Sequence, residues 1–75
     1  MPTDATLQAG AKGASVIALQ KALISLGYLA GATDGAYGAA TARAVASFQT
    51  AKGLTADGVA GAKTLATINA DQTSG

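Results

Sequence analysis

Asp34-Gly35-Ala36-Tyr37-Gly38-Ala39-Ala40-Thr41 recurs twenty-three positions later as Asp57-Gly58-Val59-Ala60-Gly61-Ala62-Lys63-Thr64. This repeat of D-G-x-x-G-x-x-T constrains the fold more than any other feature, because internal repetition sets the architecture before single residues are weighed. Asp-Gly is a turn pair: the carboxylate bonds nearby backbone amides and Gly takes positive φ. The second Gly of each copy falls at the N-cap of a following helix, where Gly is acceptable and its small size permits close approach. The Thr falls in the first helical turn, where its hydroxyl can bond local backbone. Upstream, each copy follows a Gly and an apolar residue, Gly27 with Tyr28-Leu29 and Gly53 with Leu54. The unit therefore reads as helix, Gly, apolar residue, D-G turn, G-x-x-T, helix.

Periodicity supplies the helices. Val16, Leu19, Leu23 and Leu26 follow the spacing of one helical face, which predicts a helix from about Ala14 to Leu26. Ser15, Ala18, Lys21, Ala22 and Ser25 lie mostly off that face; Ile17 and Ile24 widen the apolar stripe. A second helix is expected from about Ala39 to Lys52, with Thr41, Val45 and Phe48 on one stripe and Ala44 beside them. A short third helix is expected from Ala62 to Ala70, with Leu65 and Ile68 as its apolar contacts. Gly27 and Gly53 sit just past helix ends, where a left-handed residue terminates the helix. Thr3 to Ala9 and Asp71 to Gly75 read as irregular, and short extended pieces have room at 27–30 and 54–56. The expected fold is all-α: a compact three-helix module with two D-G turn units between helices.

The inventory of side chains excludes most chemistry. The chain has 75 residues, no Cys and no His, and its acids are Asp4, Asp34, Asp57 and Asp71 alone. Catalytic triads and the common zinc sites lack their residues, so neither a metal nor any other cofactor is expected. A glycosidase needs two carboxylates at a set separation; Asp34 and Asp57 are already accounted for as turn residues. Gly10 to Ser15, "GAKGAS", resembles a phosphate loop only superficially, with the wrong spacing and no preceding strand. Five Lys and Arg spread along the chain leave a net charge of +1, so no face gathers the cations a nucleic acid requires. That weak charge suits a neutral or mixed-charge partner such as a glycan. Apolar residues make up 49 % of the chain, the reverse of a disordered composition. No run is long enough to span a bilayer, and "MPTDATLQAG" lacks the basic start and apolar run of a secretory signal.

Taken together, the motifs resemble the peptidoglycan-binding domain attached to bacterial and phage cell-wall hydrolases. The residues that carry the resemblance are Leu7, Gly10, Gly13, Val16, Leu19-Gln20, Leu23 and Gly27-Tyr28; then Asp34-Gly35, Tyr37-Gly38, Thr41, Ala44-Val45 and Phe48-Gln49; then Gly53-Leu54, Asp57-Gly58-Val59, Gly61 and Thr64. They extend from Leu7 to about Ile68. The family often has Pro after the second Gly of the motif, where this chain has Ala39 and Ala62. Pro is favoured at a first helical position, so its loss is expected to cost some stability without changing the fold. The resemblance implies a non-catalytic module that binds peptidoglycan, by glycan strand or stem peptide, and targets a linked hydrolase.

Candidate ligand contacts are Tyr37, Asp34, Arg43, Tyr28, Gln20, Gln49 and Thr41. Tyr28 and Tyr37 are suited to stacking on a sugar face, or to packing in the small core with the phenol at the surface. Gln20 and Gln49 can bond a loop backbone or a ligand amide or hydroxyl, the first being favoured. Arg43 can pair with a stem-peptide carboxylate or lie on a solvated helix surface. The site is expected beside the first D-G copy, where Tyr37 stands.

Residues 1–70 read as the domain and 71–75 as a polar tail or the start of a linker, which fits an N-terminal module with a catalytic domain following. The resemblance implies a monomer acting at the cell wall, without membrane or nucleic-acid partners; phage endolysins of this order can lack a signal peptide when a separate membrane pore releases them. A structural or protein-interaction module of the same fold is the alternative, and a complete small enzyme the third reading.

Overall fold

The computed structural model describes residues 6–31 and 33–73. Three helices form: α1 at Ala14–Ser25, α2 at Ala39–Ala51 and α3 at Ala62–Thr73. Helix α1 packs against both α2 and α3. Val16, Leu19 and Leu23 are fully buried, as the periodicity predicts, but so is Ala22, which the sequence places mostly off the apolar face. The reason is geometric. A helix between two neighbours must bury two flanks, and the small Ala22 side chain lets a neighbour approach closely. Ala44, Val45 and Phe48 of α2 and Leu65 and Ile68 of α3 complete the core with Leu7, Tyr37 and Ala60. Burying a side chain of Leu, Ile or Phe size stabilises by about 1.5–3 kcal/mol, and no disulfide supplements this core.

Both α1 and α2 end identically. Tyr28 N–H bonds Leu23 C=O at 2.8 Å and Gly27 N–H bonds Ile24 C=O at 3.0 Å. Leu54 N–H bonds Gln49 C=O at 2.8 Å and Gly53 N–H bonds Thr50 C=O at 3.2 Å. These are paired Schellman bonds, which satisfy carbonyls the helix itself leaves open. The apolar residue that follows each Gly, Tyr28 or Leu54, packs on the core; the Tyr28 ring meets Phe48 edge-on at 5.4 Å.

Three expectations need correction. Asp71 to Thr73 are not an irregular tail, since α3 continues through Thr73. Lys52, at the end of α2, pairs with Asp71 Oδ2 at 2.6 Å and so ties the last turn of α3 down. Thr3 to Ala5 and residues 74–75 lie outside the described residues. Second, no extended pairing forms at 27–30 or 54–56. It forms instead in the segment before α1, where Leu7 and Ala60 exchange backbone bonds of 2.9 and 2.8 Å. Lys12 bridges Ala36 in the same antiparallel sense. The segment from Leu7 to Gly13 thus runs across both D-G units, because each unit presents backbone groups that no helix can satisfy. Third, the second Gly of each copy is not there for close approach: a Cβ at Gly38 or Gly61 meets nothing within 4 Å.

No helix among the described residues is long and apolar enough to cross a membrane.

Candidate functional site

The hydrogen-bonded clamps of the two D-G units correspond bond for bond. In the first, Asp34 Oδ1 accepts the Ala36 amide at 3.0 Å, closing a short side-chain turn. Gly35 takes φ of 75° and its N–H donates to Gln20 Oε1 at 3.0 Å. Gln20 Nε2 donates to Asp34 Oδ1 at 2.9 Å, Ala36 C=O at 3.0 Å and Thr41 Oγ1 at 3.1 Å. In the second, Asp57 Oδ1 accepts the Val59 amide at 2.9 Å, and Gly58, with φ of 73°, donates to Gln49 Oε1 at 3.0 Å. Gln49 Nε2 donates to Asp57 Oδ1 at 3.0 Å, Val59 C=O at 2.8 Å and Thr64 Oγ1 at 3.2 Å.

A buried amide side chain thus clamps each turn from the preceding helix and joins it to the first turn of the next. The Gln side chain, with both a carbonyl and an NH2, serves the Gly amide and the Asp and Thr oxygens together. Gln20 and Gln49 are each 2 % exposed, and every such buried polar atom among the described residues has a partner. Gln20 and the Ala36 amide hold the Asp34 carboxyl below the usual carboxylate range. The Val59 amide, then Gln49, does the same for Asp57.

The sequence-derived candidates therefore divide. Asp34, Gln20 and Thr41 come together, but as one folding clamp, and Gln49 serves the equivalent clamp with Asp57 and Thr64. The threonine hydroxyls meet the glutamine amides rather than local backbone. Tyr37 is 2 % exposed, and its hydroxyl donates to Gly58 C=O at 2.5 Å. Its ring has no face to offer a sugar; burial raises the phenol pKa to about 12. Tyr28 is half-buried against Phe48, and Arg43 is exposed on α2.

A cleft of about 350 Å³ opens beside the second D-G copy, between the end of α2 and the start of α3. Leu54, Thr55, Asp57, Val59 and Lys63 line it, with Gln49 and Thr64 behind. The sequence alone marks Lys63 only as one of five dispersed cations and gives Thr55 no role; the available signal is that Lys63 stands where the first copy has Ala40. Among the described residues no group of His, Cys, Asp or Glu could hold a metal ion.

Three helices seated on two amide-clamped turns define a small all-α repeat module. Residues 12–68 match the family described as putative peptidoglycan binding domain, and the chain belongs to that family. It is 44 % identical over 62 residues to the spore cortex-lytic enzyme of Bacillus cereus, a match covering 83 % of this chain. The chain spans only 24 % of that relative's length. The crystal structure of the SleB N-terminal domain superposes with a TM-score of 0.91 at 38 % identity, covering 93 % of this chain and 96 % of that one. A Burkholderia AP3 phage endolysin superposes at 0.84 with 46 % identity, covering 89 % of this chain and 26 % of the endolysin.

Proposed function

We propose that this chain binds bacterial peptidoglycan and, without chemistry of its own, holds a linked cell-wall hydrolase at its substrate. The observation that carries this reading is the family match over residues 12–68. The relatives place the same module in wall-lytic proteins: a spore cortex-lytic enzyme and a phage endolysin. The geometry supports this reading in one respect: Asp34 and Asp57 each use one carboxylate oxygen as a turn-forming acceptor, a folding role that needs no chemistry. The chain acts at the cell wall, as a monomer, beside a linked catalytic domain. Its relatives include a spore enzyme as well as a phage one, so the reading is not tied to a phage setting.

The test is co-sedimentation of the isolated chain with purified sacculi. The expected result is depletion from the supernatant at low and moderate salt without release of muropeptides. Retention in the supernatant, with capture of a partner protein instead, favours an interaction module of the same fold.

A further inference from the structure

The two D-G units match in their clamps and differ in their charges. In the second, Asp57 and Lys63 both line the cleft. One carboxylate oxygen of Asp57 is occupied by Gln49 and the Val59 amide; the other accepts no hydrogen bond from the described residues. Held in its turn, this carboxyl stays ionised at neutral pH. Lys63 is exposed and forms no ion pair with the described residues. Half-buried Leu54 and Val59 add an apolar lining to the same cleft. The first unit has Ala40 where the second has Lys63, so only the second copy combines both charges.

A concavity with an anion, a cation and an apolar lining complements a ligand with an amine and a carboxylate on a short aliphatic frame. In peptidoglycan both groups belong to the stem peptide. The glycan strand presents hydroxyl and acetamido groups, whereas the stem peptide presents carboxylates and, at a diamino acid, a free amine. We infer that the cleft beside the second D-G unit takes the stem peptide rather than the glycan, with the amine against Asp57 and the carboxylate against Lys63. This inference rests on the wall-binding reading and assigns it a site.

The experiment is an amide-resolved NMR titration of the chain with three probes. These are a stem tetrapeptide carrying a free side-chain amine and C-terminal carboxylate, the same peptide with its amine acetylated, and glycan strands stripped of peptide. The tetrapeptide is expected to shift the amides of residues 53–55 and 61–64. Acetylation, or Lys63→Glu, is expected to weaken it about fivefold, the scale of a partly exposed ion pair. Lys63→Glu places an acid in the first turn of α3, which favours the helix, so weaker binding is not a folding defect; Lys63→Ala should give a smaller loss. Shifts of the cleft amides by stripped glycan, or tetrapeptide binding indifferent to Lys63→Glu, overturn the assignment. A chain that sediments with sacculi while its cleft ignores the tetrapeptide loses only this site, whereas a chain that does not sediment loses the wall-binding reading itself.

Discussion

The Tyr37 hydroxyl donates to the Gly58 carbonyl at 2.5 Å, so a residue of the first D-G unit holds the turn of the second. The bond fastens the two halves of the repeat to each other through a ring that is 2 % exposed. Replacing it as Tyr37→Phe keeps the ring and strands a carbonyl, which is expected to cost about 1–2 kcal/mol in urea denaturation. Binding to sacculi at 25 °C should be unchanged. A clear loss of binding in a folded Tyr37→Phe protein would return Tyr37 to the ligand contacts.

The amide clamps are the most sensitive polar positions. Gln20→Leu leaves the Gly35 N–H without its acceptor and removes the donor from Asp34, Ala36 and Thr41. Each such change, Gln20→Leu or Gln49→Leu, is expected to destabilise by about 2–3 kcal/mol, because buried partners lose bonds that water does not replace. The same substitution at exposed Gln8 should be close to neutral. Midpoints of chemical denaturation compare the three directly.

Acid should weaken the fold in a defined direction. Asp34 and Asp57 have folded-state pKa values below their ordinary value. Their stabilisation is therefore complete above the unfolded carboxylate pKa and is lost as pH falls through the depressed folded one. Melting temperature is expected to be flat above about pH 5 and to fall below it. The double variant Asp34→Asn, Asp57→Asn, which keeps an acceptor oxygen at each turn, should show a shallower fall. An equally steep acid limb in that variant would assign the loss to other groups.

The glycines of the repeat should respond oppositely. Gly35 has φ of 75°, and an added Cβ would lie 3.2 Å from Ile17 Cγ1. Gly35→Ala is thus strained by backbone and by contact, with an expected cost above about 1 kcal/mol. Gly38 has φ of −105° in open surroundings. Gly38→Ser supplies a side-chain acceptor at the N-cap of α2 and should leave stability unchanged or raise it by a few tenths of a kcal/mol. Thermal melts of the two variants separate the conformational requirement from the merely tolerated glycine.

What the sequence by itself determined is local. Helix periodicity placed α1 and α2 to within a residue at each end, since apolar spacing and a terminating Gly act within single turns of chain. The D-G pairs announced their turns for the same reason. Family membership was also legible, because the motif residues are the ones the turns require. Tertiary structure decided the rest. Gln20 lies 14 residues from Asp34 and 21 from Thr41, and only packing α1 against α2 converts three separate candidates into one clamp. Ala22 became core because α1 has neighbours on two flanks, and α3 gained its last residues with Asp71 held by Lys52. Tyr37 fastens the two units together, since its ring is buried at their junction and its hydroxyl bonds the Gly58 carbonyl. The cleft opened beside the second copy because it is bounded by the end of α2 and the start of α3, a proximity that exists only once both helices are packed.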